Sequence, residues 1–231
     1  MANYLIIGGS SGIGKSLVAQ LKGSNNNIFA TYMNTSLSAE ESGVSYHAVD
    51  ISKDFNLDFL PDTLDGMAYC PGRINLKPFH RIPPESFMED YNIQVMGAVR
   101  SIQKALPALK NSEDGSIVLF STVAVQNGFN FHSQISASKG AIEGLTRALA
   151  AEFAPGLRVN CIAPSLTDTP LASKLLNSDA KRKMNEERHP LKRIGRSEDI
   201  ASMASFLLSD KSGWITGQIM HVDGGMSSIR T

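Results

Sequence analysis

Short apolar runs alternate with segments of helical periodicity along the chain, and this alternation constrains the fold more than any other feature. Most of the runs are continuously apolar, which is typical of strands buried on both faces of a parallel sheet. Strands that alternate with helices predict an α/β fold with a doubly wound parallel sheet, whose ligand lies beyond the carboxyl ends of the strands. The predicted strands are residues 4–7, 28–32, 45–49, 66–70, 116–120, 158–162 and 218–222, and the predicted helices are residues 12–21, 85–110, 134–153 and 197–208.

Length and charge narrow the classes of function. The chain has 231 residues. Because α/β folds reach ~250 residues as one unit, residues 1–231 are expected to form a single domain. Lys plus Arg and Asp plus Glu number 22 each, so no net field favours nucleic acid or an anionic membrane as a partner. A small molecule is therefore the expected ligand.

The cysteines and the apolar segments indicate the compartment. Cys70 and Cys161 lie far apart without CxxC spacing, so neither a disulfide framework nor a metal site is predicted. Both are expected to be buried thiols in a reducing compartment. The N-terminus lacks the basic and apolar regions of a signal peptide, and no run of eighteen apolar residues occurs. The protein is expected to be soluble and cytoplasmic.

The first predicted strand runs into GGSSGIGKS, in which Gly8, Gly12 and Gly14 form a GxxxGxG pattern. Glycines at this spacing allow a tight turn and a close approach of the backbone to a pyrophosphate at the next helix N-terminus. The alternative is a glycine turn that only joins a strand to a helix. Asp50, which ends the third predicted strand region, favours the phosphate site, because its carboxylate can accept a hydrogen bond from an adenine amino group.

Further motifs follow in a recognisable order: Asn92 in a long helix, Ser121 and Thr122 after a strand, Lys139 on the next helix, then APSLTDTP and ITGQIMHVDGG. This order and spacing resemble the short-chain dehydrogenase/reductase superfamily over essentially the whole chain. The resemblance implies a Rossmann-type sheet of about seven strands flanked by helices and an NAD(P)-dependent oxidoreductase. The cofactor-binding residues that it implies are Gly8, Ser10, Ser11, Gly12, Ile13, Gly14, Asp50, Gly72, Lys139 and Thr169, and the catalytic ones are Asn92, Thr122 and Lys139.

The resemblance also implies a role for each of these positions. Lys139 would bind the nicotinamide ribose, Thr169 the carboxamide or phosphate end of the cofactor, and Asn92 a proton-relay water. Thr122 takes the place of the active-site serine, thirteen residues before the position of the catalytic tyrosine. That tyrosine position holds Ile135, which cannot exchange a proton, one helical turn before Lys139. We interpret Lys139 as retained for the ribose, and a lysine on a solvated helix face is the alternative.

Two other family motifs are altered. The sequence also leaves several candidates for the group that donates the proton. NNAG has become YCPG at residues 69–72, without the asparagines that brace the central strand, and PG has become Pro164 and Ser165. Thr122 with a water, His132 or a group of the substrate could donate the proton, since an imidazole exchanges protons near neutral pH. A His132 that only braces a loop is the alternative. Tyr69 is a further phenol, although the family places cofactor there.

The end of the second predicted strand bears on the choice of nucleotide. NAD-preferring relatives carry an acidic residue where Tyr32 stands, to bind the ribose 2′-hydroxyl. No acid is present there, and Lys15, Asn34, Thr35 and Ser36 would tolerate a 2′-phosphate. NADP is therefore favoured over NAD. A Lys15 that is simply solvated on the first helical turn is the alternative.

Residues 168–196 show no regular pattern and are expected to form the substrate lid. Eight basic and three acidic residues occur between Lys174 and Arg196. A solvated helix with salt-bridging acids explains this charge, and an acidic substrate is the other explanation. Arg193 and Gly195 resemble a structural turn motif of the family and are not assigned to the substrate.

Two hypotheses of function follow. The first is an NAD(P)-dependent oxidoreductase that acts on a carbonyl or alcohol substrate, and it is favoured because hydride transfer needs mainly orientation. The second is a cofactor-binding protein without turnover, either a redox sensor or a noncatalytic partner subunit. The long helices at residues 85–110 and 134–153 are family-like and suggest packing into a homodimer or homotetramer.

Overall fold

A computed structural model describes residues 1–23, 26–34 and 43–229 of the chain. Its main feature is one sheet of seven parallel strands. The strands of this sheet are β1 (Asn3–Ile7), β2 (Asn27–Tyr32), β3 (Val44–Ala48), β4 (Gly66–Tyr69), β5 (Gly115–Phe120), β6 (Leu157–Pro164) and β9 (Ile219–Val222). Their order across the sheet is β3-β2-β1-β4-β5-β6-β9, so the predicted doubly wound α/β fold is confirmed.

Helices cover both faces of the sheet, as the alternating pattern predicts. They are α1 (Gly12–Lys22), α2 (Pro84–Tyr91), α3 (Gly97–Lys110), α4 (Val123–Asn127), α5 (Ser133–Phe153), α6 (Asp179–Arg188) and α7 (Ser197–Leu208). The helix predicted at residues 85–110 runs without a break over residues 84–110, and a π-helical turn at Asn92–Met96 joins α2 to α3. Within the described ranges, none of these helices combines the length and apolar character needed to cross a membrane.

The core lies in two layers, one on each face of the sheet. Successive strand residues point to opposite faces, so Leu5 and Ile7 pack in one layer and Ile6 in the other. The first layer includes Leu109 of α3 and Ile142 of α5, and the second includes Leu17 of α1 and Leu207 of α7, all fully or almost fully buried.

The segment 168–196 is more regular than its sequence indicates. It contains a 3₁₀ helix at Pro170–Leu175 and the helix α6, which has no buried residue. The short strands β7 (Thr167–Asp168) and β8 (Gly195–Arg196) pair in parallel and close the base of the segment. Arg193 donates to both carboxylate oxygens of Asp199 at 2.6 and 3.1 Å, which agrees with a structural role for that turn.

Candidate active site

The glycine turn lies at the carboxyl end of β1, beside β4, where the direction of strand order reverses. Gly12 has a φ of +51°, which favours glycine, and a Cβ on Gly14 would lie 2.2 Å from the carbonyl oxygen of Gly8. The amide of Gly8 donates to Oγ1 of Thr31 at 3.0 Å, which fixes the turn against β2. The turn is therefore a shaped cradle in which backbone can approach a ligand closely.

A cavity of about 430 Å³ extends from this turn along the carboxyl ends of the strands and under residues 168–196. Its wall is mainly apolar, as is usual for small-molecule sites. The structure brings seven of the residues singled out in the sequence to this one cavity: Ile13, Gly72, Thr122, His132, Ile135, Lys139 and Thr169. Thr169 also borders the turn, since a Cβ on Gly12 would lie 3.4 Å from its side chain.

Lys139 is almost completely buried on α5, with 7% of its surface exposed. Its ammonium donates one hydrogen bond, to the carbonyl oxygen of Phe120 at 2.8 Å, and an ammonium has three N–H groups to donate. Burial lowers the pKa of Lys139 to about 8, and the carboxylate of Asp90 opposes this shift. A solvated surface lysine is thereby excluded, and the remaining N–H groups are available to a ligand in the cavity.

Ile135 lies one turn earlier on α5 and lines the same cavity. It is 9% exposed, so an apolar wall stands at the position where the family has a phenol.

Gln94 lines the cavity and was missed in the sequence. Its amide nitrogen donates to Oδ2 of Asp90 at 2.7 Å, and the hydroxyl of Ser138 donates to the same oxygen at 2.6 Å. Its Oε1 atom is buried and has no hydrogen-bond partner. A buried acceptor without a partner is costly, so this oxygen is suited to a donor on a ligand or a water. The available signal was one amide within the apolar run Ile93–Met96, which the helix prediction does not interpret.

The structure does not bring Asn92 to the cavity. Its side-chain amide donates to the carbonyl oxygen of Ser52 at 3.2 Å, and its Oδ1 accepts from Arg100 at 3.1 Å. Asn92 therefore ties the start of the π-helical turn to the loop after β3. The physical reason is the π turn, which changes the direction in which successive side chains leave the helix.

Tyr69 is also turned away from the cavity. It is 2% exposed, and its hydroxyl donates to the carbonyl oxygen of Ile93 in the π-helical turn. Burial raises the pKa of this phenol above its usual range. Tyr69 thus braces β4 against the π-helical turn and does not supply a phenol to the cavity.

Thr122 and His132 lie at opposite ends of the α4 region. Thr122 is the N-cap of α4, and its Oγ1 accepts from the amide of Ala124 at 3.3 Å. His132 precedes α5, and its Nδ1 lies 2.8 Å from the carbonyl oxygen of Asn130, so Nδ1 carries the proton and donates. Both contacts are of the kind that stabilises turns and helix ends.

Asp50 follows β3, at the same edge of the sheet as the glycine turn. The amide and the hydroxyl of Ser52 donate to its Oδ1 at 3.0 and 2.6 Å, and these bonds lower the pKa of the carboxyl. Asp50 does not line the cavity that contains Lys139, and its contact with an adenine stays a prediction.

The nucleotide-preference residues are only partly described. Asn34 is exposed beyond β2, whereas Thr35 and Ser36 lie outside the described residues. Lys15 borders a separate depression together with Asp168 and Glu198. Both cysteines are free thiols, and burial raises the pKa of each to about 12.

Basic side chains line the cavity, and those of Lys174, Lys181 and Arg188 are exposed. The cavity is lined by Arg73, Lys139, Lys174, Lys181 and Arg188, and among the described residues no Asp or Glu lines it. Arg73 pairs with Glu89 at 3.1 Å. Neither Lys174 nor Arg188 pairs with a carboxylate of the described chain, and Arg188 lies 5.7 Å over the ring of Phe129.

These features fit a dinucleotide. The glycine cradle leaves no room for a Cβ at residue 14, Lys139 has N–H groups without a partner, and Gln94 offers an unpartnered acceptor in the same cavity. A cradle of this kind suits a pyrophosphate, and the donor and acceptor suit hydroxyl groups of a ribose.

Comparison with known proteins agrees with this geometry. A family model described as enoyl-(acyl carrier protein) reductase matches residues 8–227. A tropinone reductase homolog of Arabidopsis thaliana is 33% identical, covering 97% of this chain and 92% of its own. An "inactive 2-(S)-hydroxypropyl-CoM dehydrogenase 2" of Xanthobacter autotrophicus is 34% identical over 72% of this chain and 74% of its own.

Solved structures have the same fold. The crystal structure of a short chain dehydrogenase family protein from Francisella tularensis superposes with a TM-score of 0.90 at 31% identity, covering 99% of this chain and all of that one. The comparisons favour the oxidoreductase hypothesis over a noncatalytic cofactor-binding protein. The chain belongs to the short-chain dehydrogenase/reductase superfamily of NAD(P)-dependent oxidoreductases.

Proposed function

We propose that the cavity binds the nicotinamide end of NADPH and that the protein reduces a carbonyl compound there. The observation that supports this proposal most strongly is the buried ammonium of Lys139, which opens onto the same cavity as Ile13 and Thr169 beside the glycine turn. A lysine that costs the fold free energy is expected to be retained for a ligand. In this proposal, the residues predicted in the sequence bind and orient the cofactor and the substrate. Gln94 is added to them, and Asn92 is removed.

The chain's own residues divide the work in the following way. The glycine turn holds the pyrophosphate, and Asp50 accepts from the adenine amino group. Lys139 donates to the ribose, and Gln94 accepts from the ribose or from a water beside it. The bound nicotinamide supplies the hydride. The apolar wall at Ile135 excludes water from the face of the ring.

NADP is proposed over NAD, because β2 ends in Tyr32 and continues into Met33 and Asn34 without an acid that would repel a 2′-phosphate. Calorimetric titration should show tighter binding of NADPH than of NADH. Tighter binding of NADH by about tenfold, or ~1.4 kcal/mol, would reverse this preference.

The substrate is proposed to combine an apolar body with an anionic group. The apolar wall accommodates the body, whereas Lys174 and Arg188 lie at the mouth without carboxylate partners in the described chain. A bound anion would satisfy these two cations, and their charge would also attract it from solution.

The test is a panel of aldehydes, ketones and 1,2-diketones, each offered as a neutral compound and as its carboxylated analogue. Oxidation of NADPH is followed by its absorbance. Turnover of a panel compound supports the reductase, and a lower KM for the carboxylated member of a pair supports the anionic substrate. Arg188→Gln should raise that KM by about tenfold, the scale of one charge-assisted contact, and leave the neutral partner's KM unchanged. Lys183→Gln is the matched control, because Lys183 lies on α6 but does not line the cavity.

The remaining sequence predictions are carried forward as proposals. They are a single domain over residues 1–231, a cytoplasmic location, and a homodimer or homotetramer. Light scattering after gel filtration measures the oligomeric state directly, and a monomer at micromolar concentration would contradict the last of them.

A further inference from the structure

A serine and a histidine that no sequence motif connects form a hydrogen-bonded pair in the cavity wall. Ser165 follows β6, at the position where the family motif has glycine, and His189 follows α6. The Oγ of Ser165 lies 2.8 Å from Nε2 of His189, and Nδ1 of His189 lies 2.7 Å from the carbonyl oxygen of Asn185. Ser165 and His189 line the same cavity as Lys139 and Ile135.

The carbonyl of Asn185 fixes the roles of the two ring nitrogens. A carbonyl oxygen can only accept, so Nδ1 of His189 carries a proton and donates it to Asn185. Nε2 is then the nitrogen that gains and loses a proton. In the neutral ring Nε2 accepts from the Ser165 hydroxyl, and in the charged ring it donates to Ser165 Oγ. The ring is held in one tautomer and one orientation, which proton transfer requires.

We propose that Ser165 and His189 form a proton relay that replaces the missing phenol, with Ser165 in contact with the substrate oxygen and His189 acting through it. This inference rests on the proposed reductase function. In the reduction, hydride passes with its electron pair from the reduced nicotinamide to the carbonyl carbon, and the π electrons of the C=O bond move to oxygen. That oxygen takes the hydroxyl proton of Ser165, and Ser165 takes the Nε2 proton of the imidazolium. The carbonyl is reduced, the nicotinamide is oxidised, and solvent reprotonates the imidazole.

The other candidate donors are less well connected. Thr122 accepts from the amide of Ala124 and has no imidazole beside it among the described residues. His132 is held by Asn130 and by an edge contact with Phe129 at the mouth of the cavity. In the described chain, Ser165 is the cavity-lining hydroxyl with a histidine nitrogen at hydrogen-bond distance.

His189 is 2% exposed, and it is bordered by α6, by the segment at Asp223 and Gly224, and by Ser165. Lys181 and Arg188 of α6 line the same cavity. A Cβ added to Gly224 would lie 3.6 Å from Cδ2 of the ring, and the carboxylate of the neighbouring Asp223 accepts from the amides of Gly225 and Ser227. The residue that follows β6 contributes the uncharged Ser165 hydroxyl, which lies 2.8 Å from Nε2 of the ring.

The first experiment measures turnover of a panel compound that the wild type reduces. Ser165→Ala and His189→Gln should each lower kcat by a factor of about 100, the usual scale of general acid catalysis, with the Kd for NADPH unchanged. Ser165→Thr keeps a hydroxyl and should restore much of the rate. Ile135→Tyr in the Ser165→Ala background should also restore it, because the phenol bypasses the relay. Ser173→Ala is the matched control, because Ser173 is exposed and does not line the cavity. A kcat that survives in Ser165→Ala would overturn the relay, and a kcat that falls in Thr122→Val instead would assign the proton donor to Thr122.

The second experiment uses the cofactor-free protein and no turnover. Nitrogen-15 NMR of the imidazole should show His189 as the Nδ1–H tautomer, with an Nε2 resonance that moves in Ser165→Ala and stays in Thr122→Val. An Nε2–H tautomer, or an Nε2 resonance indifferent to Ser165→Ala, would refute the pair whatever the turnover. Failure of the wild type to oxidise NADPH with every panel compound contradicts the reductase function and leaves the NMR result to decide the pair.

Discussion

Replacing Lys139 by methionine separates the effect of this residue on the free energy of unfolding from its effect on the affinity for NADPH. Methionine has nearly the same length without the charge. Burial lowers the pKa of Lys139 from its usual 10.5 to about 8. At ~1.4 kcal/mol per tenfold change in the proton equilibrium, holding the ammonium in the folded protein at neutral pH costs roughly 3 kcal/mol. The variant escapes that cost but leaves the Phe120 carbonyl without its donor, a loss of about 1–3 kcal/mol.

The free energy of unfolding of Lys139→Met should therefore equal or exceed that of the wild type at pH 7. The pH dependence has a definite sign. Because the folded-state pKa lies below the unfolded one, the unfolded wild type binds more protons between about pH 8 and 10.5, and wild-type stability rises over that interval relative to the variant. Urea unfolding at pH 7 and pH 10 measures both effects.

Binding of NADPH should change in the opposite direction. The variant loses charge-assisted hydrogen bonds to the ribose, and affinity should fall by about 1.5–3 kcal/mol. Titration calorimetry on both proteins, each shown folded by circular dichroism, measures this. Equal NADPH affinity would mean that Lys139 donates to something other than the ribose, and the assignment of this cavity to the nicotinamide end would have to be withdrawn.

Three other substitutions test separate parts of the site. Ile135→Tyr places a hydroxyl one turn from Lys139 and should raise turnover of simple carbonyl compounds, measured by NADPH absorbance; unchanged turnover with NADPH bound would contradict it. Gly12→Val should weaken NADPH by about tenfold or more, because it combines a strained φ with lost pyrophosphate space; titration of a folded variant with wild-type affinity would refute the phosphate site. Tyr69→Phe should lower the free energy of unfolding by about 1–3 kcal/mol in urea, through the lost bond to Ile93, and an unaffected midpoint would show that the brace carries no stability.

The sequence predicts what depends on local spacing. The glycine turn and the pair Ile135 and Lys139 are fixed by positions a few residues apart, and the structure places the pair on the cavity wall as the i, i+4 relation requires. Asn92 was assigned a role by resemblance to the family, and the π-helical turn at Asn92–Met96 changes which side chains of this helix face the cavity. The cavity receives Gln94 instead.

The contacts of Ser165 were beyond prediction for a different reason. Ser165 and His189 lie 24 positions apart in the sequence, with a 3₁₀ helix and α6 between them, and no periodicity relates them. The paths of those two elements bring the hydroxyl and the imidazole together. The sequence shows only that the family glycine has become a serine.

Because of the contact between Arg188 and Phe129, the charge of a substrate should affect the position of α6. Helix α6 has no buried residue, and the guanidinium over that ring joins its C-terminal end to the loop before α5. An arriving carboxylate competes with the ring for the same cation. An acidic substrate should therefore weaken the contact between Arg188 and Phe129 as it binds. Release of an acidic product should let this contact form again. A neutral compound passes without disturbing it, so acids and neutral compounds should differ in how fast they enter and leave as well as in how tightly they bind.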